Sequence, residues 1–225
     1  IFVGLSPLIM IGSWLDQRLN RRRTLREQRQ EFRDSLAQAE TLLAENVPAE
    51  IAARNTETPS AAVLAALSPD FAPRLWVRRP EHRVFLEVRL GTATLPARKT
   101  VALPPRGKIL ASDWAHLTSV HDRYRSIPDV PLLERLDRCG ALGVAGPTFW
   151  ASQVTRAVLV QLLSSHSPAN MVLTAFASER QATGEWAWLK WLPHVDSAYS
   201  PIPIPHLVSD ERMGNLLLTG LESVI

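Results

Sequence analysis

The chain has 225 residues, 46% of them apolar, a formal net charge of +3 and one cysteine. That composition is enough for a substantial core, and it excludes a disordered tail, a disulfide framework and any metal site built from several thiolates. Arginine supplies nearly all the basic charge, because Lys99, Lys108 and Lys190 are the only lysines, and Arg18, Arg21, Arg22, Arg23, Arg26, Arg29 and Arg33 crowd into one 16-residue stretch.

Ile1 to Leu15 carry no charge. This run is shorter than the roughly 20 residues that span a bilayer core. The expectation is the end of a truncated transmembrane helix over 1–15, in a piece of a longer chain. Trp14 would sit at the interface, and Arg18, Arg21, Arg22 and Arg23 at the lipid headgroups of the cytoplasmic side. A signal peptide would place its positive charge before the apolar run, not after it. From Gln17 to Asn46 there is neither proline nor glycine, and Leu25, Phe32 and Ala39, like Leu15, Leu36 and Leu43, recur at multiples of seven. That spacing predicts one long helix, a stalk that with its linker covers 16–58. The same register puts Arg22 and Arg29 on a thin seam, so the stalk is expected to lie loosely against a partner or its own domain.

A connection, "NVPAEIAARNTETPSAAVLAALSPD", with two short helical patterns, one of them preceded by Pro59 and followed by Pro69, leads into the remaining domain, 59–225. Three short strands are predicted there, in "PRLWVRR", "RVFLEVRLG" and "ARKTVALPP", with antiparallel pairing. Next come a helix in "SDWAHLTSVHDRYRS", an apolar run "DVPLLERL", a second run "ALGVAG", a helix from about Thr148 to His166 and a strand in "ANMVLTAFAS". Strand, helix, strand with apolar strands predicts a parallel, covered sheet. A final helix, "DERMGNLLLTGLESV", opens on Asp210 and Glu211, which suit its dipole. The predicted fold class is α/β: a degenerate P-loop or Rossmann-like domain with a mostly parallel sheet, an antiparallel β portion and a long N-terminal stalk helix.

The stretch that invites a chemical reading is "GVAGPTFWASQVTRA", Gly143 to Ala157, a glycine turn between an apolar run and a helix. A phosphate-binding P-loop needs inward backbone N–H groups, a lysine for the β and γ phosphates and a hydroxyl for magnesium. Gly143, Gly146, Pro147 and Thr148 occupy the phosphate-loop position, but Phe149 and Trp150 fill the place of the inner glycines, and no lysine follows. The loop is expected to be an inactive relic without catalytic residues, retaining at most the weak anion affinity of a helix N-terminus. The six histidines show no metal-ligand spacing, and His116 and His121 are five apart, off a shared helical face. Trp186, Trp188 and Trp191 could form a partner surface or pack in a core. Nucleic acid is not an expected partner of this chain, since apart from Lys190 no basic groove accompanies these rings.

Four stretches together carry a resemblance: "RLWVRRPEHRVFLEVRLGTATLP", "IPDVPLLERLDRCGALGVAGP", "RAVLVQLLSSHSP" and "WAWLKWLPH". They resemble the membrane-proximal cytoplasmic domain of the EccC family of type VII secretion ATPases of actinobacteria, a member of the FtsK/SpoIIIE motors. Where that family usually has an acid after the double arginine, this chain has Arg83 and Val84 before Phe85. The resemblance implies a hexameric motor at the bacterial inner membrane, working with other secretion-complex subunits. It places ATP and magnesium in modules beyond residue 225 and no cofactor in this chain. It leaves open two other readings: an arm of a DNA-translocating FtsK/SpoIIIE cell-division ATPase, and an active nucleotide-binding domain.

Overall fold

The computed structural model describes the backbone of residues 6–67, 75–107, 109–195 and 200–224, and within these the side chains from residue 23 onward except that of residue 67. The chain divides into two units, Ile1–Thr56 with Ala93–Val130 and Glu57–Thr92 with Pro131–Ile225.

Helix α1 (Ser6–Glu57) dominates the first unit. It outruns the proline-free stretch and passes through Pro48, which has no N–H to give to the preceding turn. Val47 and Ile51, flanking that proline, pack on a core of Ala97, Ile127 and Val130, and this burial offsets the missing bond. Polar contacts extend the same face: Lys99 Nζ donates to Asn46 Oδ1 at 2.8 Å, the Arg98 N–H to Glu50 Oε1 at 3.0 Å and Arg54 Nη2 to the Pro96 carbonyl at 2.7 Å. The stalk is therefore fastened along its C-terminal half, not loosely laid. None of the described helices is long and apolar enough to cross a membrane.

The seam arginine has an acid waiting for it. Helix α3 (Ala111–Tyr124) carries Asp113 in its first turn, and Arg29 Nε and Nη2 reach Asp113 Oδ2 and Oδ1 at 2.9 and 3.2 Å, with Arg33 Nη2 at 3.3 Å from Oδ1. The Arg29 hydrogen bonds, followed by the charges of Arg29 and Arg33, hold the Asp113 carboxyl below the usual carboxylate range against the opposing effect of burial. Asp113→Asn is accordingly expected to lower the melting temperature followed by circular dichroism. The deficit should shrink in about 1 M salt, where screening acts over roughly 3 Å; a deficit that ignores salt would contradict the ionic assignment.

Strands β1 (Glu87–Pro96) and β2 (Ser126–Arg135) form a two-stranded sheet. It is antiparallel, since the Ala97 N–H donates to the Arg125 carbonyl at one end and the Leu136 N–H to the Leu86 carbonyl at the other. Pro128 and Pro131 are tolerated because a strand of a two-stranded sheet is also an edge.

In the second unit α5 (Thr148–Ser165) is the organising element. Val158 and Leu162 pack on Val88 of β1, and Gln161, also buried, uses its amide on the strand backbone: Oε1 accepts the Arg89 N–H at 2.8 Å and Nε2 donates to the Arg89 carbonyl at 3.0 Å. The last carbonyls of a helix lack intrahelical partners. Here those of Ser164 and Ser165 accept the Trp76 and Arg78 N–H groups, each at 2.9 Å. Of "PRLWVRR" the described part, 75–79, thus caps α5 and is not the expected strand. Helix α2 (Ala61–Leu67) also packs on α5.

Short elements follow: α4 (Leu136–Cys139), β3 (Ala175–Phe176), α6 (Glu179–Thr183), a 3-10 turn over Ala187–Trp191 and β4 (Leu207–Val208). Helix α7 (Glu211–Glu222) closes the chain with Asp210 Oδ1 accepting the Met213 N–H at 2.9 Å, and its Leu217 packs on Ile202 and Val208. β3 and β4 pair in parallel over two residues each. The α/β character is as expected and an antiparallel portion is present, but it pairs β1 with β2 and not with the neighbouring runs, and the mostly parallel sheet is not found. Among the described residues the parallel pairing is that short ladder, and "ALGVAG" is exposed and outside any strand. An apolar run becomes a strand only where a neighbour takes its backbone bonds, and 141–146 has none in the ladders.

Candidate functional site

The glycine loop lies between α4 and α5, so the expected helix follows it but the expected strand does not precede it. Gly140, with φ of 69°, ends α4, and Gly146, with φ of 152°, turns the chain into α5; both angles favour glycine. Every residue from Gly140 to Trp150 is exposed. Pro147 precedes the helix with a fixed φ of −55° and no side-chain cap, so the Thr148 hydroxyl begins the first turn instead of closing it.

Beneath the loop lies a cavity of about 360 Å³ lined mainly by Leu136, Leu142, Val144, Val158 and Leu159, with Cys139 and Thr155 at its wall. No lysine or arginine lines it. A phosphate placed there would give up hydration without meeting a counter-charge, which is unfavourable by several kcal/mol in order of magnitude. Phe149 and Trp150 project outward in edge-to-face contact, ring centroids 5.2 Å apart, with about two thirds of each residue exposed.

The three tryptophans separate in space. Trp191 is 79% exposed with Lys190 Nζ 5.0 Å from its ring centre, whereas Trp186 and Trp188 are half-buried, 6.4 Å apart, and the Arg156 guanidinium lies 5.7 Å from the Trp186 ring. One exposed ring and two half-buried ones do not make a continuous stacking platform. Among the proposed lipid-facing residues, Arg23 is exposed, and the side chains of Trp14, Arg18, Arg21 and Arg22 lie outside the described residues. His121 pairs with its neighbour Asp122 at 3.2 Å. Among the described residues no group of three or more His, Cys, Asp or Glu side chains is arranged to hold a metal ion.

The fold buries three histidines, His166, His194 and His206, that their sequence spacing does not single out. His166, at the end of α5, donates from Nδ1 to the Leu162 carbonyl at 2.9 Å and accepts the Leu86 N–H on Nε2 at 3.2 Å. His194 donates from Nε2 to the His166 carbonyl at 2.8 Å. Burial is the main reason both titrate below the ordinary histidine value, with the charge of Arg78 adding to the effect at His166. The available signal was position: His166 follows the last turn of a helix, where free carbonyls need donors.

No protein-family model matches the chain. Over 161 residues, or 68% of the chain, it is 30% identical to the ESX-4 secretion system protein EccC4 of Mycobacterium tuberculosis, of which this covers 13%. It is 35% identical over 127 residues, 55% of the chain, to the ESX-3 secretion system protein EccC3 of the same organism, covering 9% of that protein. Against the ESX secretion system protein EccC of Thermomonospora curvata the identity is 31% over 128 residues, 55% of the chain and 10% of the relative. The chain spans about a tenth of the length of these curated relatives. An exposed glycine turn over an apolar cavity, on a chain of this ancestry, belongs to a homologue of EccC, the ESX secretion system protein.

Proposed function

We propose that the chain is a non-catalytic, membrane-proximal coupling domain of a hexameric FtsK/SpoIIIE-type motor for type VII protein secretion, on the cytoplasmic face of the bacterial inner membrane. In this reading 59–225 is a degenerate ATPase-like domain, α1 transmits movement between a membrane pore and distal modules, and those modules supply ATP and magnesium chemistry. Other subunits of the secretion complex are its partners. The names of the relatives support the secretion assignment, and the absence of basic residues around the cavity beneath the glycine turn is the observation that carries the non-catalytic part.

The DNA-translocase reading draws on the arginine stretch. Two of those arginines, Arg29 and Arg33, are already paired with Asp113, which weakens it.

Millimolar Mg-ATP is expected to leave the melting temperature of the chain within about 1 °C. A site filled to a hundred times its Kd would instead add about 2.7 kcal/mol. Thr148→Ala should make no difference to this result. Phosphate release by the chain, abolished by a substitution at Gly146, would overturn the proposal.

A further inference from the structure

From Gly140 to Thr155 the chain carries no charged residue. The large apolar side chains of that run face water: Leu142, Val144, Phe149, Trp150 and Val154 are each more than a third exposed. Val154 stands one helical turn after Trp150, on the same side of α5. Together the exposed parts of these five side chains amount to roughly 450 Å², in the range of the largest apolar patch on a typical monomer, which is often functional.

The same face has a hole beside its knobs. The cavity of about 360 Å³ beneath the loop is walled by the buried Val158 and the half-buried Leu136 and Leu159, and it reaches the surface at the exposed Leu142 and Val144. Its one side-chain hydroxyl, on Thr155, already donates to the Ala151 carbonyl at 2.9 Å, so an apolar occupant leaves that group matched. Neither Phe149 nor Trp150 of the same chain lines it.

We propose that two copies of this chain pair through this face, each placing Phe149 in the other's cavity while Trp150 covers the rim. Phe149 has no polar atom to desolvate, whereas the Trp150 indole N–H stays in water at the edge. An apolar cavity of about 150 Å³ already holds a benzene ring, and this one is larger. Charge favours a second copy as the occupant. Each copy has a net charge of +3, and a contact uncharged on both sides brings the two together without a like-charge pair across it. Because the exchange is reciprocal, it closes at two. Two such faces, with the exposed small residues between them, remove roughly 1,000 Å² from water, the lower bound of a specific interface and the range of transient ones. The pair is separate from the ring proposed above, and neither depends on the other.

Sedimentation equilibrium of the 225-residue chain from about 5 to about 500 µM is expected to show monomer and dimer, with a Kd of roughly tens to hundreds of micromolar. Phe149→Ser removes the knob, and Val144→Asp puts a charge at the mouth of the hole. Each alters an exposed side chain and should weaken the dimer about tenfold or more, whereas Leu218→Ser, at an exposed position on α7, should leave it unchanged. Cys139, exposed in the cavity wall, should react more slowly with N-ethylmaleimide at concentrations where the dimer forms. A chain that stays monomeric, assembly that grows past two, or a dimer indifferent to both Phe149→Ser and Val144→Asp would overturn the proposal. So would a monomer that binds phosphatidylcholine vesicles through Phe149, which would make a lipid surface the occupant of this face. The Cys139 rate is read on the unsubstituted chain, and one that ignores dimer formation would also count against it.

Discussion

Lowering the pH from about 7.5 to about 5.5 is expected to destabilise the second unit far more than a chain with surface histidines. His166 and His194 are 0% and 2% exposed, and both have depressed pKa values. A depressed histidine is neutral when folded and takes up a proton when unfolded, so its contribution is complete above the ordinary value of about 6.5 and is lost as pH falls below it. Each contributes a slope of at most about 1.4 kcal/mol per pH unit in that window. At His166 a proton on Nε2 would also face the Leu86 N–H that this nitrogen now accepts, and Leu86 is held at φ of 54°, a strained angle for a leucine. Urea unfolding at several pH values measures the slope. His166→Leu leaves that N–H unmatched and should cost about 1–3 kcal/mol at pH 7.5. Its deficit should narrow on acidification because one titrating group is gone. A deficit that stays constant with pH would refute the assignment of His166 as a titrating group.

Leu217→Ala is expected to cost about 3 kcal/mol. The side chain is fully buried where α7 meets Ile202 and Val208, with Ile204, Met213 and Leu221 packed around it. Leu216→Ala and Leu218→Ala, one residue to either side and about half exposed, should stay within about 0.5 kcal/mol. Equal effects at all three positions would mean that α7 presents a different face. Chemical denaturation followed at 222 nm separates the outcomes.

Helices were legible where local signals and packing agree. The helix predicted from Thr148 to His166 is observed as Thr148–Ser165, the one in "SDWAHLTSVHDRYRS" as Ala111–Tyr124, and Asp210 and Glu211 stand at the start of α7 as expected, where Asp210 also caps it. Strands were harder, because a short apolar run does not say whether a neighbour will take its hydrogen bonds. Of "ANMVLTAFAS" Ala175 and Phe176 pair, and "ARKTVALPP", 97–105, lies wholly beyond the end of β1. α1 continues through Pro48 because Val47 and Ile51 are anchored by residues distant in sequence. At the loop, the missing lysine was plain from the sequence. The apolar cavity beneath it was not, since Leu136, Val144 and Leu159 converge there only through the fold.

The Gln161 side chain has a consequence for assembly. By taking both the N–H and the carbonyl of Arg89 it occupies the place of a third strand on the open side of β1. An unpaired strand edge is a template on which other chains can extend a sheet. At Arg89 that template is already filled from within the molecule. Any partner that joins this face must use side chains, not an added strand, and the two-stranded ribbon is protected there against edge-to-edge aggregation.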